Sequence, residues 1–273
     1  MKKIFLLLLC AFCLQITYSQ DLLIAKSPDS THNSVVAIMR FDSTGKLLTR
    51  ATGVLIHPGV ILTAGHVRFV NTYPDGLKRE GLISLSNQAL ETKDYISFDW
   101  IDDVETHPDQ ENFLKSRRDT TGKFQLGSYF DIGLIYLKEP VQNKPIAKLP
   151  PQSFFQTLPA NVSFIGVGYG YHKLRESSFK YSYIDGKRRK WKPQSVAVIN
   201  DKWLSGSCDS TTKQQFSNVG DSGAPIFIDD NTIIGILSAA PRYPDTAKFV
   251  RLDNKDILDW IRKAVKNRLG IDL

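Results

Sequence analysis

Asn218-Val219-Gly220-Asp221-Ser222-Gly223-Ala224-Pro225 sets a serine between two glycines, directly ahead of the apolar run Ile226-Phe227-Ile228. Glycine lacks a Cβ, so both flanking positions can turn backbone N–H groups toward a reacting carbonyl. A serine hydroxyl is a weak nucleophile. To act as one it needs an adjacent base, a group that orients that base, and donors for the charge that develops on the attacked oxygen. Gly, Asp and Ser also make ordinary turns, so the octet acquires meaning only if the rest of the chain supplies those partners.

Two candidates lie upstream, each at the end of an apolar run. Short β-strands are expected at 34–41 and 47–56, divided by the turn Asp42-Ser43-Thr44-Gly45. After the break His57-Pro58-Gly59, Val60-Ile61-Leu62 reads as a buried strand that delivers Thr63-Ala64-Gly65-His66. Further on, Phe130-Asp131 opens Ile132-Gly133-Leu134-Ile135-Tyr136-Leu137, a run apolar on both faces, as expected of a strand buried on both sides. A carboxylate at the mouth of such a strand is costly without a partner. Residues 71–129 are polar and irregular, with shorter strand candidates at 82–85 and 95–98. Pro140, Pro145, Pro150, Pro151 and Pro159 then mark a crossing between two domains, and a second set of strands is expected at 161–167, 194–199, 225–228 and 232–238. The chain closes on a helix that Asp253 or Asn254 can cap. Ile257, Ile261, Val265 and Leu269 repeat at helical spacing, and Gly270 ends the run.

Thr63-Ala64-Gly65-His66-Val67, Asp131-Ile132-Gly133-Leu134-Ile135 and Gly220-Asp221-Ser222-Gly223-Ala224-Pro225 resemble, in this order, the His, Asp and Ser motifs of the trypsin/chymotrypsin-like serine proteases. His107-Pro108 resembles the pair that often precedes the Asp motif. Gly166-Val167-Gly168-Tyr169-Gly170 resembles the glycine-rich opening of the second barrel, and 257–265 the C-terminal helix. The order also argues against an α/β-hydrolase, in which Gly-x-Ser-x-Gly leads into a helix and the His comes last. Here Ala224 replaces the final glycine and the His comes first.

The resemblance implies an all-β fold of two packed six-stranded antiparallel β-barrels with a C-terminal α-helix. The first barrel, 20–150, would carry His66 and Asp131, the second, 151–252, would carry Ser222, and 253–273 would form the helix. It implies a secreted serine endopeptidase that hydrolyses peptide bonds through an acyl-enzyme intermediate. In that mechanism His66 takes the Ser222 proton and passes it to the leaving amine, Asp131 holds the His66 tautomer, and the N–H groups of Gly220 and Ser222 form the oxyanion hole. No metal and no organic cofactor is implied. A protease-fold binding protein without turnover, and an esterase using the same three residues, are the alternatives.

Phe216 stands where a trypsin-type enzyme carries a pocket-floor aspartate, which argues against Lys or Arg at the residue preceding the cut (P1). Ile236-Leu237-Ser238-Ala239-Ala240 resembles the edge that pairs with substrate backbone, with Ser238, Ala239 and Ala240 beside the pocket and Ala240 where glycine usually keeps it open. Leu237 stands where glutamate-specific relatives place a histidine. A shallow pocket for small or medium uncharged side chains follows. Many family members insert a freshly cut Ile-Val-Gly-Gly amino terminus against the acid matching Asp221. Only Leu22-Leu23-Ile24-Ala25 lies near that position here, so either trimming after Asp21 supplies a new terminus or Asp221 finds another partner within the fold.

Composition sets the remaining bounds. The 273 residues suffice for one large all-β unit or two ordinary domains. Met1-Lys2-Lys3 followed by Ile4-Phe5-Leu6-Leu7-Leu8-Leu9 reads as a signal peptide over 1–19, too short to span a bilayer. A secreted, soluble, monomeric product of bacterial type is expected, with no membrane span and no specific nucleic acid as partner. Cys10 and Cys13 fall inside that segment, so Cys208 is left without an internal disulfide partner. Most of the +7 formal charge sits in 173–192, where Lys173, Arg175, Lys180, Lys187, Arg188, Arg189, Lys190 and Lys192 face only Glu176 and Asp185. This reads as a hairpin, 181–184 turning into 187–191, that is either a solvated charged face or a surface for acidic or polyanionic partners.

Overall fold

Alternation and apolar runs produce strands, and strands dominate. A computed structural model of the protein describes residues 22–23, 26–42, 44–71, 80–109, 130–157, 163–171, 173–174, 185–207, 216–240 and 246–273. The expected signal segment, Cys208 and the 181–184 arm of the basic hairpin lie outside the described residues. In chain order the elements are β1 (Leu22–Leu23), β2 (Lys26–Pro28), β3 (Val35–Phe41), β4 (Leu47–His57), β5 (Val60–Thr63), α1 (His66–Asn71), β6 (Glu80–Ser84), β7 (Tyr95–Asp99), β8 (Val104–Thr106) and β9 (Gly133–Tyr136). There follow β10 (Ile165–Gly168), β11 (Lys173–Leu174), β12 (Arg189–Trp191), β13 (Ser195–Val198), β14 (Trp203–Ser207), β15 (Pro225–Phe227), β16 (Ile233–Ala239), β17 (Ala247–Arg251) and α2 (Lys255–Leu269).

The expected barrels are two curled antiparallel sheets. One has the order β7-β6-β3-β4-β5-β9-β8, the other β13-β14-β17-β16-β15-β10-β12-β2, so the described strands number seven and eight where six each are expected. The first sheet is assembled from 35–136. The chain's start crosses over: β2 pairs with β12 in the second sheet, and β1 with β11, although residues 20–150 are expected in the first barrel. Val35, Val54, Leu55, Val60, Leu62 and Leu134 of the first sheet, and Leu204, Phe216, Ile226, Leu237 and Phe249 of the second half of the chain, lie in the core, all at most 2% exposed. Burying such a side chain contributes about 1.5–3 kcal/mol.

Asn254 caps α2, its side chain accepting the N–H groups of Asp256 and Ile257. Ile257, Ile261 and Val265 are fully buried in the core shared with the first sheet, whereas Leu269 is 39% exposed. Asp253, the other expected cap, is instead held by the Arg251 guanidinium at 2.9 Å through both oxygens.

Within the described part of the basic stretch Lys187 and Lys192 are exposed, but Arg188 is not. β12 lies between β10 and β2, not at an edge, and this draws its neighbours inward. Arg188 is 1% exposed. Its Nε donates to Asp29 Oδ2 at 2.9 Å and its Nη2 to Asn33 Oδ1 at 2.7 Å. Arg189 Nη1 donates to Asp185 at 2.8 Å.

Candidate active site

Strand register brings His66 and Asp131 together. β5 and β9 are antiparallel neighbours, with Thr63 opposite Gly133, so the residues just past the end of one and just before the start of the other meet at the same end of the sheet. His66 begins α1 there. Asp131 is fully buried; its Oδ1 accepts the His66 backbone N–H at 2.7 Å and its Oδ2 faces His66 Nδ1 at 2.7 Å. With the carboxylate on Nδ1, that nitrogen carries the proton and Nε2 presents its lone pair. Nε2 lies 2.9 Å from Ser222 Oγ.

Ser222 arrives from the other sheet. It precedes β15, and Gly223 N–H donates to Leu237 O while Leu237 N–H donates to Ala224 O, locking the turn to β16. Thr52 on β4 joins the two sheets at this point. Its N–H donates to Ser222 O at 2.8 Å, its Oγ1 donates to Gly220 O at 2.9 Å, and the same oxygen accepts the Tyr169 N–H at 3.1 Å.

The turn itself requires glycine. Gly220 and Gly223 take φ of +92° and +84°, where a side chain is strained. At Gly223 a Cβ would also strike the Thr52 carbonyl and the Thr63 hydroxyl. The Val219 carbonyl accepts the Tyr171 N–H at 3.0 Å. Because the C=O and N–H of a trans peptide point in opposite directions, this turns the Gly220 N–H away from Tyr171. Among the described residues no hydrogen bond from the N–H of Gly220 or of Ser222 to a protein group is present.

Burial alone would raise the Asp131 pKa. The charge and hydrogen bonds of His66 and the hydroxyl of Ser238 more than offset it and hold the carboxyl below its ordinary value. Ser238 Oγ donates to Asp131 Oδ2 at 2.5 Å. A side chain expected beside the substrate backbone thus has its hydroxyl on the carboxylate that orients the imidazole. Ala239 and Ala240, next along, are partly exposed. Phe216 is 2% exposed and packs on Trp191, ring centroids 5.2 Å apart, inside the second sheet.

Asp221, adjacent to the serine, is fully buried. Its carboxylate accepts the Gly170 N–H at 2.7 Å and the Asn218 N–H at 2.8 Å, and is ion-paired with the equally buried Lys26 ammonium. A Cβ at Gly168 or Gly170 would fall on that carboxylate, which explains the glycines of the 166–170 motif by close approach. Burial lowers the Lys26 pKa against the opposing pull of Asp221, and lowers that of Arg50 nearby.

Sequence reasoning misses Lys26, Thr52 and the orienting role of Ser238. Thr52 alone left a signal: it is a hydroxyl next to Ala51-Gly53-Val54-Leu55-Ile56, a run that is buried throughout. Among the described residues no helix is long and apolar enough to cross a membrane, and no cluster of His, Cys, Asp and Glu has the arrangement of a metal site.

Comparison with known proteins bears on the whole arrangement. No curated protein is matched by the sequence. Among solved structures, HL collagenase superposes with a TM-score of 0.61 at 16% identity, covering 92% of this chain and 100% of that one. Two scabies mite inactivated protease paralogues are similar: S-I1 at TM-score 0.60 and 16% identity, over 89% of this chain and 100% of that one, and S-D1 at 0.61 and 13%, over 90% and 98%. At these identities the likeness shows the fold. The family model described as Trypsin matches residues 26–261, from the strand that carries Lys26 into the closing helix, and so the chain belongs to the trypsin family.

Proposed function

We propose that the protein is a secreted serine endopeptidase in which Ser222 is the nucleophile, His66 the general base and then acid, Asp131 its orienting carboxylate, and the N–H groups of Gly220 and Ser222 the oxyanion hole. The observation that carries this reading is the continuous chain Asp131 Oδ2, His66 Nδ1, His66 Nε2, Ser222 Oγ, with steps of 2.7 and 2.9 Å. Both fall within the reach that proton transfer needs. His66 takes the hydroxyl proton as Oγ attacks the scissile carbonyl, the oxyanion is met by the two backbone donors, and the proton leaves with the amine. Water then repeats the sequence on the acyl-enzyme. Asp131 stays ionised throughout and stabilises the imidazolium.

The family supports a peptide substrate. Phe216 at the position of the pocket floor favours small or medium uncharged P1 residues and disfavours Lys and Arg, which would bury a charge against an aromatic core. Residues 1–19 support export, and the mature domains are proposed as 20–150, 151–252 and the helix 253–273, with β2 contributed to the second sheet. The same Phe216 favours the second reading, a protease-fold binding protein, and some neighbours are described as inactivated paralogues.

Incubation with a peptide library, with new termini read by mass spectrometry, separates these readings. Cleavage after small uncharged residues that disappears in Ser222→Ala supports the endopeptidase. Ester turnover without peptide products would point to an esterase, and no turnover of either kind by the folded protein would favour the binding protein.

A further inference from the structure

We infer that Lys26 is a positioning residue for the Ser222 turn, an internal cation that assembles the site without a newly cut amino terminus; the inference rests on the endopeptidase reading of that turn. The carboxylate of Asp221 and the ammonium of Lys26 are both fully buried and paired, across 195 positions of sequence. A buried carboxylate without a cation would protonate or pull its surroundings apart, so the pair is a structural necessity at this place. Nor is the position of Lys26 incidental. It is set by β2, in which Lys26 lies opposite Trp191, Ser27 opposite Lys190 and Pro28 opposite Arg189. A slip of one residue would turn the ammonium to the other face of the sheet.

From Asp221 the constraint reaches the oxyanion donors in two steps. The carboxylate holds the N–H groups of Gly170 and Asn218, which bracket the turn from both sides. Gly170 fixes its neighbour Tyr171, whose N–H holds the Val219 carbonyl and thereby the orientation of the Gly220 N–H. The other charges facing Lys26 are Arg50, which lies beside Gly220, and Arg189, which is engaged by Asp185. Both are cations, so Asp221 is the counter-ion of Lys26, and Arg50 also stands in the field of that carboxylate. Upstream, Leu22–Leu23 are tied to Lys173–Leu174 as a strand pair. An amino terminus arriving at Asp221 would set a second ammonium against a single carboxylate already neutralised.

The test compares protein trimmed to begin at Leu22 with protein bearing a non-cleavable amino-terminal extension, each as wild type, Lys26→Met, Lys26→Arg and Asp221→Asn. The readouts are the rate of fluorophosphonate labelling at Ser222 and amide hydrogen exchange over 218–223. Extended and trimmed wild type are expected to label within about twofold of one another, while Lys26→Met slows labelling about 10²-fold, the scale of one lost oxyanion donor. Lys26→Arg restores at least part of the rate, Asp221→Asn adds little on top of Lys26→Met, and exchange over 218–223 quickens in Lys26→Met. A purely structural lysine would give additive losses and no acceleration confined to the turn. Labelling that appears only after trimming would overturn the inference, as would Lys26→Met labelling at the wild-type rate. Should Lys26→Met fail to fold, the Lys26→Arg and extension arms decide. Should folded wild type fail to label at all, the endopeptidase reading falls, while hydrogen exchange in the variants still decides the role of Lys26.

Discussion

Thr52→Val isolates one hydroxyl that binds the two sheets at the nucleophile turn. The substitution keeps side-chain shape and leaves the backbone bond from Thr52 N–H to Ser222 O intact, but it orphans two groups: the Gly220 carbonyl, 2.9 Å from Oγ1, and the Tyr169 N–H, 3.1 Å from it. Thr52 is fully buried, so water cannot replace the lost partner cheaply. Each buried orphan costs about 1–3 kcal/mol, giving about 2–6 kcal/mol for the pair. For a chain of this size, at about 2–4 °C per kcal/mol, that lowers Tm by roughly 4–24 °C. Freeing the Gly220 carbonyl also loosens the peptide that presents one oxyanion donor, so kcat/KM should fall about tenfold, well short of the 10²–10³ for a donor removed outright. Thr52→Ser retains the hydroxyl and should stay within about 1 kcal/mol of wild type. Urea denaturation gives the stability, and initial rates on the best library peptide give the activity. Wild-type behaviour of Thr52→Val, or equal damage from Thr52→Ser, would refute the reasoning.

Three further outcomes follow from the same geometry. Ser238→Ala removes a hydroxyl donor from Asp131 Oδ2 and should cost about 1.5–3 kcal/mol of transition-state stabilisation, seen as a roughly ten- to hundredfold fall in kcat with little change in KM. Because the folded Asp131 pKa is depressed, its contribution to stability is present at neutral pH and is lost as pH falls through the folded value; Ser238→Ala should move that acid transition upward, as followed by urea midpoints against pH. For Lys26 the slope has the same sign, in an alkaline window. Its folded pKa lies below the ordinary 10.5, so between the lowered value and 10.5 the folded chain holds fewer protons than the unfolded one. From this group alone stability rises with pH in that window, while Ser222 labelling slows as the ammonium facing Asp221 is lost. Labelling loss that merely tracks unfolding, measured on the same samples, would contradict this. Arg188→Met breaks a buried pair and leaves Asp29 with only its His32, Thr31 and backbone partners, so destabilisation of about 3–5 kcal/mol by urea denaturation is expected.

The sequence carries the parts of the site that are local. His66 and Asp131 are readable because each adjoins a fully apolar run, and two such runs become antiparallel neighbours whose ends coincide. The glycines around Ser222 are readable because positive φ and close approach exclude other residues. What sequence hides is whatever depends on distant pairing. β2 is Lys-Ser-Pro, without periodicity or apolar content, and becomes a strand only because β12 provides its edge. Charge counting makes 173–192 a basic face, yet Arg188 is neutralised by Asp29, 159 positions away. Likewise the hydroxyl of Ser238 falls on Asp131 through the meeting of two sheets, which no local spacing encodes. β14 and β17 are equally silent: a glycine between two serines in the one, and Lys248 and Arg251 without strict alternation in the other, mask strands that lie within the second sheet.

The most direct test of the central claim is mass-spectrometric mapping of a fluorophosphonate adduct on the folded protein. A single adduct on Ser222 is predicted, absent in Ser222→Ala and strongly slowed in His66→Ala. A folded wild-type protein that gains no adduct, or that gains one at another serine, would contradict the account.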